Sequence, residues 1–176
     1  MPGFHILYVW QTAIIAVGLV VVFLLLRWIL PFMFRHEWRA CAEDRHTIRS
    51  VMGVLVASAI SFGASGLIVD LWWWSFVRHF LGGGCTGVLV CFLAVRESVP
   101  HIGARRFALF ALPWVTILGV ANEMAEFAVQ SFTSLNFTPN QDDIEWDLLS
   151  NEFGIFASLP VFAFLAHRQK DSGAGL

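Results

Sequence analysis

Acidic side chains and one histidine are grouped at the ends of apolar segments in this chain. Glu123 and Glu126 stand three residues apart, and Asp143 and Asp147 stand four apart. Either spacing places both carboxylates of a pair on one face of a helix. Together with a histidine such carboxylates can hold a divalent cation. The candidate metal ligands are Asp70, His79, Glu123, Glu126, Asp143 and Asp147.

The ligand types indicate which cation would suit such a site. Oxygen-rich sites suit Mg²⁺, Ca²⁺ or Mn²⁺, and an added histidine favours zinc or iron. No short ligand motif such as His-Glu-x-x-His occurs. A second interpretation is that the acids hold protons or pair with Arg78, since buried carboxylates either change their protonation or find a cation. A divalent cation is the one cofactor that the sequence suggests.

Enzymatic chemistry has less support than binding. The chain has no Gly-x-Ser-x-Gly motif, and Ser75 and Ser150 have no adjacent histidine that would activate them. Paired carboxylates can still perform general acid and base catalysis, so hydrolysis or group transfer on a lipid-linked envelope substrate remains an alternative. We assign no catalytic residue, and the sequence favours a protein that is not an enzyme.

The composition determines which elements must position these residues. Hydrophobic residues make up 57% of the chain and charged residues 14%, with a mean hydropathy of +0.69. These values predict an all-α, polytopic bundle of transmembrane helices, because a helix satisfies its own backbone hydrogen bonds in lipid. A span needs about 20 mainly apolar residues. Five such spans are predicted in a single transmembrane domain over 1–176, near 8–34, 51–73, 75–95, 107–131 and 146–166.

The arginines and lysines predict an orientation. They concentrate in the first loop, the third loop and the C-terminal tail, whereas the segments between these carry almost none. Short basic loops stay in the cytoplasm. We therefore expect the N-terminus outside and the C-terminus inside, with the acidic groups facing outward.

Short polar motifs follow one another in a fixed order from the second span onward. The motifs are Asp70, His79-Phe80-Leu81-Gly82-Gly83, Glu123-Met124-Ala125-Glu126-Phe127, Asp143, Asp147-Leu148-Leu149, Asn151 and Gly154. In these motifs the chain resembles the VanZ-like membrane proteins and the related YjdF-type proteins. The resemblance implies an integral protein of the bacterial inner membrane and cell envelope, associated in one branch with glycopeptide resistance.

Small and aromatic residues predict how the helices pack. Gly83 and Gly87 of the third span have the spacing that lets helices approach closely. The second span also has a face of small residues, so we expect the second and third spans to touch. Trp72 to Trp74 are expected at a turn, at the depth of the headgroups.

Two functional hypotheses follow. The first is a membrane protein with an outward acidic and histidine pocket for a divalent cation or a lipid headgroup. The second is a structural or accessory subunit of a larger membrane complex, in which the acids pair helices. The expected partners are membrane lipids and other membrane subunits, with no nucleic acid.

Overall fold

A computed structural model describes the backbone in five stretches. They comprise residues 2–34, 44–68, 71–99, 102–132 and 141–173. Within them, side chains are described for residues 12–34, 46–68, 72–99, 102–132 and 144–168. The polar loop from Phe132 to Gln141 suggests a lid over the acidic residues by its composition, and its residues 133–140 lie outside the described residues.

The described chain is helical and contains no strand. The helices are α1 (Pro2–Met33), α2 (Asp44–Ser65), α3 (Leu71–Val77), a π-helical segment (Arg78–Cys85), α4 (Thr86–Ser98), α5 (Ala104–Phe132) and α6 (Gln141–Gly173). Long apolar runs form these helices because their backbone hydrogen bonds must be satisfied within the segment. The all-α prediction is confirmed.

Five helices are long and apolar enough to cross a membrane, as predicted. They cover Thr12–Met33, His46–Ser65, Trp72–Ser98, Ala104–Phe132 and Ile144–Arg168. Their outer faces carry large exposed side chains such as Ile14, Ile60 and Ile117, which are 69%, 65% and 59% exposed. Such a surface is suited to lipid. The protein is therefore a multi-pass membrane protein in contact with lipid.

The second span begins and ends earlier than the sequence pattern suggested. It was expected near 51–73, but α2 begins at Asp44 and ends at Ser65. The Ser65 hydroxyl donates to the Phe62 carbonyl at 2.9 Å, and the Gly66 amide donates to the same carbonyl at 3.0 Å. These bonds close the last turn. Trp72 to Trp74 consequently lie within α3 instead of at a turn.

The third span is the centre of the bundle. In its most apolar window 61% of the residues are buried, against 17–28% for the other four spans. The run from Val88 to Val95 is buried at almost every position, and α4 packs against α1, α2, α5 and α6. Arg78 and His79, which precede this run in the same span, are buried as well.

The π-helical segment widens the third span immediately before α4. The Thr86 amide points back to the carbonyl of Leu81, five residues earlier, and the Thr86 hydroxyl also donates to that carbonyl at 2.8 Å. Three successive glycines, Gly82 to Gly84, make the wider turn possible because they bring no side chains into it. π-helical turns are rare in proteins, and those that do occur are often found at functional sites.

An ion pair joins helices at the opposite end of the bundle. Arg27 Nε of α1 lies 2.9 Å from Glu97 Oε2 of α4, and Thr47 of α2 donates to the same oxygen at 3.2 Å. The Ser98 hydroxyl donates to the Arg27 carbonyl at 2.9 Å. These contacts fix three helices relative to one another, far from the acidic candidates.

Replacing Glu97 with glutamine is expected to destabilise the fold without affecting the polar candidates. Losing one member of a buried ion pair costs about 3–5 kcal/mol. The Arg27 side chain is 18% exposed, so it can reach solvent, and we expect a smaller loss of about 2 kcal/mol. Thermal unfolding in detergent micelles measures it. The double variant Arg27→Met/Glu97→Leu should recover stability, and an unchanged midpoint for Glu97→Gln would contradict the expectation.

Candidate functional site

Three of the predicted ligands meet inside the membrane-spanning part of the bundle. His79 Nδ1 lies 3.6 Å from Glu123 Oε1, and His79 Nε2 lies 3.3 Å from Asp147 Oδ2. One ligand atom from each residue lies within 4.8 Å of the other two. All three residues are buried, with 6%, 4% and 2% of their surface exposed, respectively. We call His79, Glu123 and Asp147 the three-residue centre.

A stripe on α6 positions Asp147 in this centre. Asp147, Asn151 and Gly154 follow at intervals of four and three residues, so they lie on one helix face, and all three are buried. A Cβ on Gly84 would lie 2.6 Å from the Cα of Gly154, and one on Gly154 would overlap the Phe80 carbonyl oxygen. The backbones of α6 and the π-helical segment are therefore in direct contact. That contact brings Asp147 to His79.

The predicted role of the glycines in close packing is correct, although the partners differ from those expected. A Cβ on Gly83 would overlap the Asn151 side chain, and one on Gly87 would lie 2.6 Å from a methyl group of Val115. The tightest contacts of these glycines are therefore with α6 and α5. The second and third spans also touch, as predicted, since the Ser61 and Thr86 hydroxyl oxygens lie 3.2 Å apart.

Neutral polar side chains support the two carboxylates. The Ser75 hydroxyl donates to Asp147 Oδ1. The Asn122 amide lies 3.4 Å from Glu123 Oε1 and donates to Glu126 Oε1 at 3.0 Å. Such outer partners orient carboxylates that bind an ion. They leave Asp147 Oδ2 directed at His79.

Glu126 lies beside the three-residue centre and has a different partner. Its Oε1 lies 3.7 Å from Arg78 Nη2, and both side chains are largely buried. The Arg78 guanidinium also lies over the Trp74 ring, 5.1 Å from its centroid. Glu126 thus makes the contact with Arg78 that the helix-pairing interpretation anticipated for the acids.

Two predicted ligands cannot be placed relative to the centre. Asp70 lies outside the described residues. Asp143 lies in the first turn of α6, but its side chain is not among those that the structure describes.

Comparisons of the chain with protein-family models, curated proteins and solved structures found no match. The resemblance to the VanZ-like proteins therefore stays a prediction. The chemistry of the site has to be inferred from its own residues.

Aromatic side chains pack α3 against α6 close to the centre along the chain. Trp72 of α3 stacks on Trp146 with ring centroids 4.8 Å apart, and Phe76 lies 5.3 Å from the same Trp146 ring. Trp146 directly precedes Asp147 in α6. These contacts fix the part of α6 that carries Asp147 against α3, whose Ser75 donates to that carboxylate.

Sequence reasoning did not identify Ser75 and Asn122 as site residues. A signal for Ser75 exists, since it precedes His79 by four residues and can share its helix face. Asn122 precedes Glu123 by one residue and Glu126 by four, so the helical repeat explains its bond to Glu126. A serine or asparagine next to charged residues is too common to be selected by type alone.

Proposed function

We propose that this protein is an integral membrane protein that holds a divalent cation at His79, Glu123 and Asp147. The observation that carries the proposal is the three-residue centre. Three metal-ligating side chains from three different helices lie inside the membrane-spanning segments, with their ligand atoms within 4.8 Å of one another. Ionisable groups at such a depth are costly and mark functional sites by default.

The distances within the centre allow one ion to be shared by the three residues. An ion bound at about 2.0–2.2 Å by nitrogen and oxygen places tetrahedral ligand atoms about 3.3 Å apart. The 3.3 Å between His79 Nε2 and Asp147 Oδ2 agrees with that value. One ring nitrogen of His79 also has ligand atoms of both Glu123 and Asp147 within 4.8 Å, although Glu123 is nearest to Nδ1, at 3.6 Å.

Charge also favours a dication. Two ionised carboxylates in a buried site repel each other, and leaving buried charge uncompensated is strongly destabilising. A divalent cation neutralises Glu123 and Asp147 together. Because an imidazole accompanies the two carboxylates, we expect Zn²⁺ or Mn²⁺ to bind in preference to Mg²⁺ or Ca²⁺. Three protein ligands leave at least one coordination position open.

The cellular setting of the proposal is the envelope of a bacterium. The resemblance to the VanZ-like proteins supports an inner-membrane location, and the positions of the arginines support an outward-facing centre. The motifs that contain His79, Glu123 and Asp147 supply the three residues that meet. We therefore propose that these motifs serve one site.

Replacing Glu123 with glutamine is expected to reduce the affinity for Zn²⁺ by about 100-fold or more, because a ligand and a negative charge are lost. Glu126→Gln is the matched control, being the same change three residues along α5. It removes a partner of Arg78 and Asn122 and should reduce affinity by no more than about tenfold. Metal content by atomic absorption and titration of the purified protein measure both. Equal affinities for the two variants would contradict the assignment.

A second candidate function, a subunit whose acids serve helix pairing, has its own support. Glu126 contacts Arg78, and Asn122 bonds to Glu126 within α5. These contacts join α5 to the π-helical segment without any ion. Purified protein that carries no stoichiometric metal and copurifies in a stable complex would favour this function.

A further inference from the structure

A cavity of about 380 Å³ lies next to the three-residue centre. One wall is formed by α1 through Ile14, Ile15 and Leu19, and the opposite wall by α5 through Val115 and Leu118. Its volume falls within the range of about 300–1,000 Å³ that small-molecule sites occupy. The walls are apolar, so an occupant must bring apolar surface.

The cavity opens sideways toward the lipid. Among the described residues, α1 packs against α2 and α4, and no Cα of α1 lies within 8 Å of a Cα of α5. Ile14 lines the cavity and is 69% exposed on the bundle surface, and a Cβ added to Gly18 would have nothing within 4 Å. The gap between α1 and α5 therefore connects the cavity with the surrounding bilayer. A membrane lipid can enter it without crossing water.

The inner end of the cavity is polar and has hydrogen-bonding groups to spare. Arg78, His79, Asn122 and Asn151 line it. Arg78 Nη2 and Asn151 Oδ1 are buried and have no hydrogen-bond partner among the described residues, although Arg78 Nη2 lies 3.7 Å from Glu126 Oε1, and both residues are over nine-tenths buried. Buried polar groups without a hydrogen-bond partner are rare, and a bound ligand can satisfy them. A guanidinium donor recognises a phosphate oxygen, and an amide oxygen accepts from a hydroxyl.

We propose that this cavity binds a membrane lipid through a phosphate headgroup. Its phosphate would lie between Arg78 and the cation held at His79, and its first chain segment would lie between α1 and α5. His79 belongs both to the three-residue centre and to the cavity lining, so an ion held there would lie next to the occupant. This inference rests on the proposed function, because a bound dication removes the repulsion between the phosphate and the carboxylates of Glu123 and Asp147.

Lipid binding to the purified protein in detergent micelles with Zn²⁺ tests the inference. The probes are phosphatidic acid, diacylglycerol with the same chains, and inorganic phosphate. Native mass spectrometry measures the binding of each. Phosphatidic acid should bind one per protein and at least tenfold more tightly than either of the others. Equal binding of diacylglycerol would overturn the role of the phosphate, and equal binding of inorganic phosphate would overturn the role of the chain.

Two glycine variants show whether the lipid occupies this cavity. Gly18→Leu introduces a side chain into the cavity wall without touching the centre and should weaken phosphatidic acid binding at least tenfold. Gly63→Leu is the matched control, since a Cβ there also has nothing within 4 Å and Gly63 does not line the cavity. Identical binding by both variants would overturn the location.

Metal content measured in the same samples separates the two proposals. Stoichiometric Zn²⁺ without phosphatidic acid binding would overturn the lipid inference alone. Absence of bound metal would overturn the proposed function and the cation-bridged lipid site together.

Discussion

Asp147→Asn is expected to remove the bound cation. The substitution keeps the size of the side chain but takes away the charge of the most buried ligand, which is 2% exposed. We expect Zn²⁺ affinity to fall by at least about 100-fold, because outer-shell changes alone reach 10–100-fold and this change is to a ligand. Metal titration of the purified variant in detergent measures the loss.

The stability of Asp147→Asn should change in opposite directions with and without the metal. Bound Zn²⁺ stabilises the native state of the parent protein in proportion to its affinity, and the variant loses this effect. Without metal, the parent holds two buried carboxylates close together, and the variant relieves their repulsion. Thermal unfolding measured with Zn²⁺ and with a chelator separates the stabilisation by bound metal from the repulsion between the carboxylates.

Glu152→Gln is the matched control for Asp147→Asn. Glu152 lies on the same helix and accepts a hydrogen bond from Thr116 at 2.7 Å, away from the three-residue centre. We expect it to keep its metal. Unchanged Zn²⁺ affinity in Asp147→Asn, or a loss of equal size in Glu152→Gln, would refute the assignment of the centre.

Gly154→Ala is expected to destabilise the fold by about 3 kcal/mol, the upper end of the usual cost of overpacking. An added Cβ would overlap the Phe80 carbonyl oxygen and lie 3.0 Å from Gly84 Cα. Both neighbours are backbone atoms, which cannot move aside as a flexible side chain would. The gain in helix propensity from glycine to alanine, about 1 kcal/mol, is too small to offset this. Unfolding midpoints in detergent measure the change.

Gly63→Ala provides the reference for that experiment. It is the same change in a helix where an added Cβ meets nothing within 4 Å, so stability should stay constant or rise slightly. Gly84→Ala should resemble Gly154→Ala, since the two glycines face each other. The double variant should then cost less than the sum of the single variants. A neutral Gly154→Ala would show that α6 and the π-helical segment do not touch.

The helices, and the helix face on which each acid lies, could be predicted from sequence because both depend on local periodicity. Apolar runs of sufficient length produced five spans, and the spacing of Glu123 in α5 and Asp147 in α6 placed each on a definite face. Nothing local specifies which faces meet. Glu126 has the same residue type and nearly the same depth as Glu123, yet it contacts Arg78 while Glu123 approaches His79.

The end of α2 and the partners of the glycines could not be predicted for a related reason. The run after Ser65 stays apolar to Trp74 except at Asp70, so hydropathy alone extended the span. Hydrogen bonds to the Phe62 carbonyl end the helix instead. The spacing of Gly83 and Gly87 predicted that another helix packs closely against them. Which helix does so depends on complementary surfaces on α5 and α6.

The π-helical segment ties the centre to the length of the chain as well as to its residue types. A turn closed by a bond to the fifth preceding residue contains one residue more than an α-helical turn. Deleting a single glycine from 82–84 would close this stretch as an ordinary α-helical turn and displace Gly83 and Gly84, the positions at which the π-helical segment contacts α6. A chain could thus retain His79, Glu123 and Asp147 and still lose their meeting. Among divergent homologues, a gap of one position in this glycine run would mark those that have abandoned the centre.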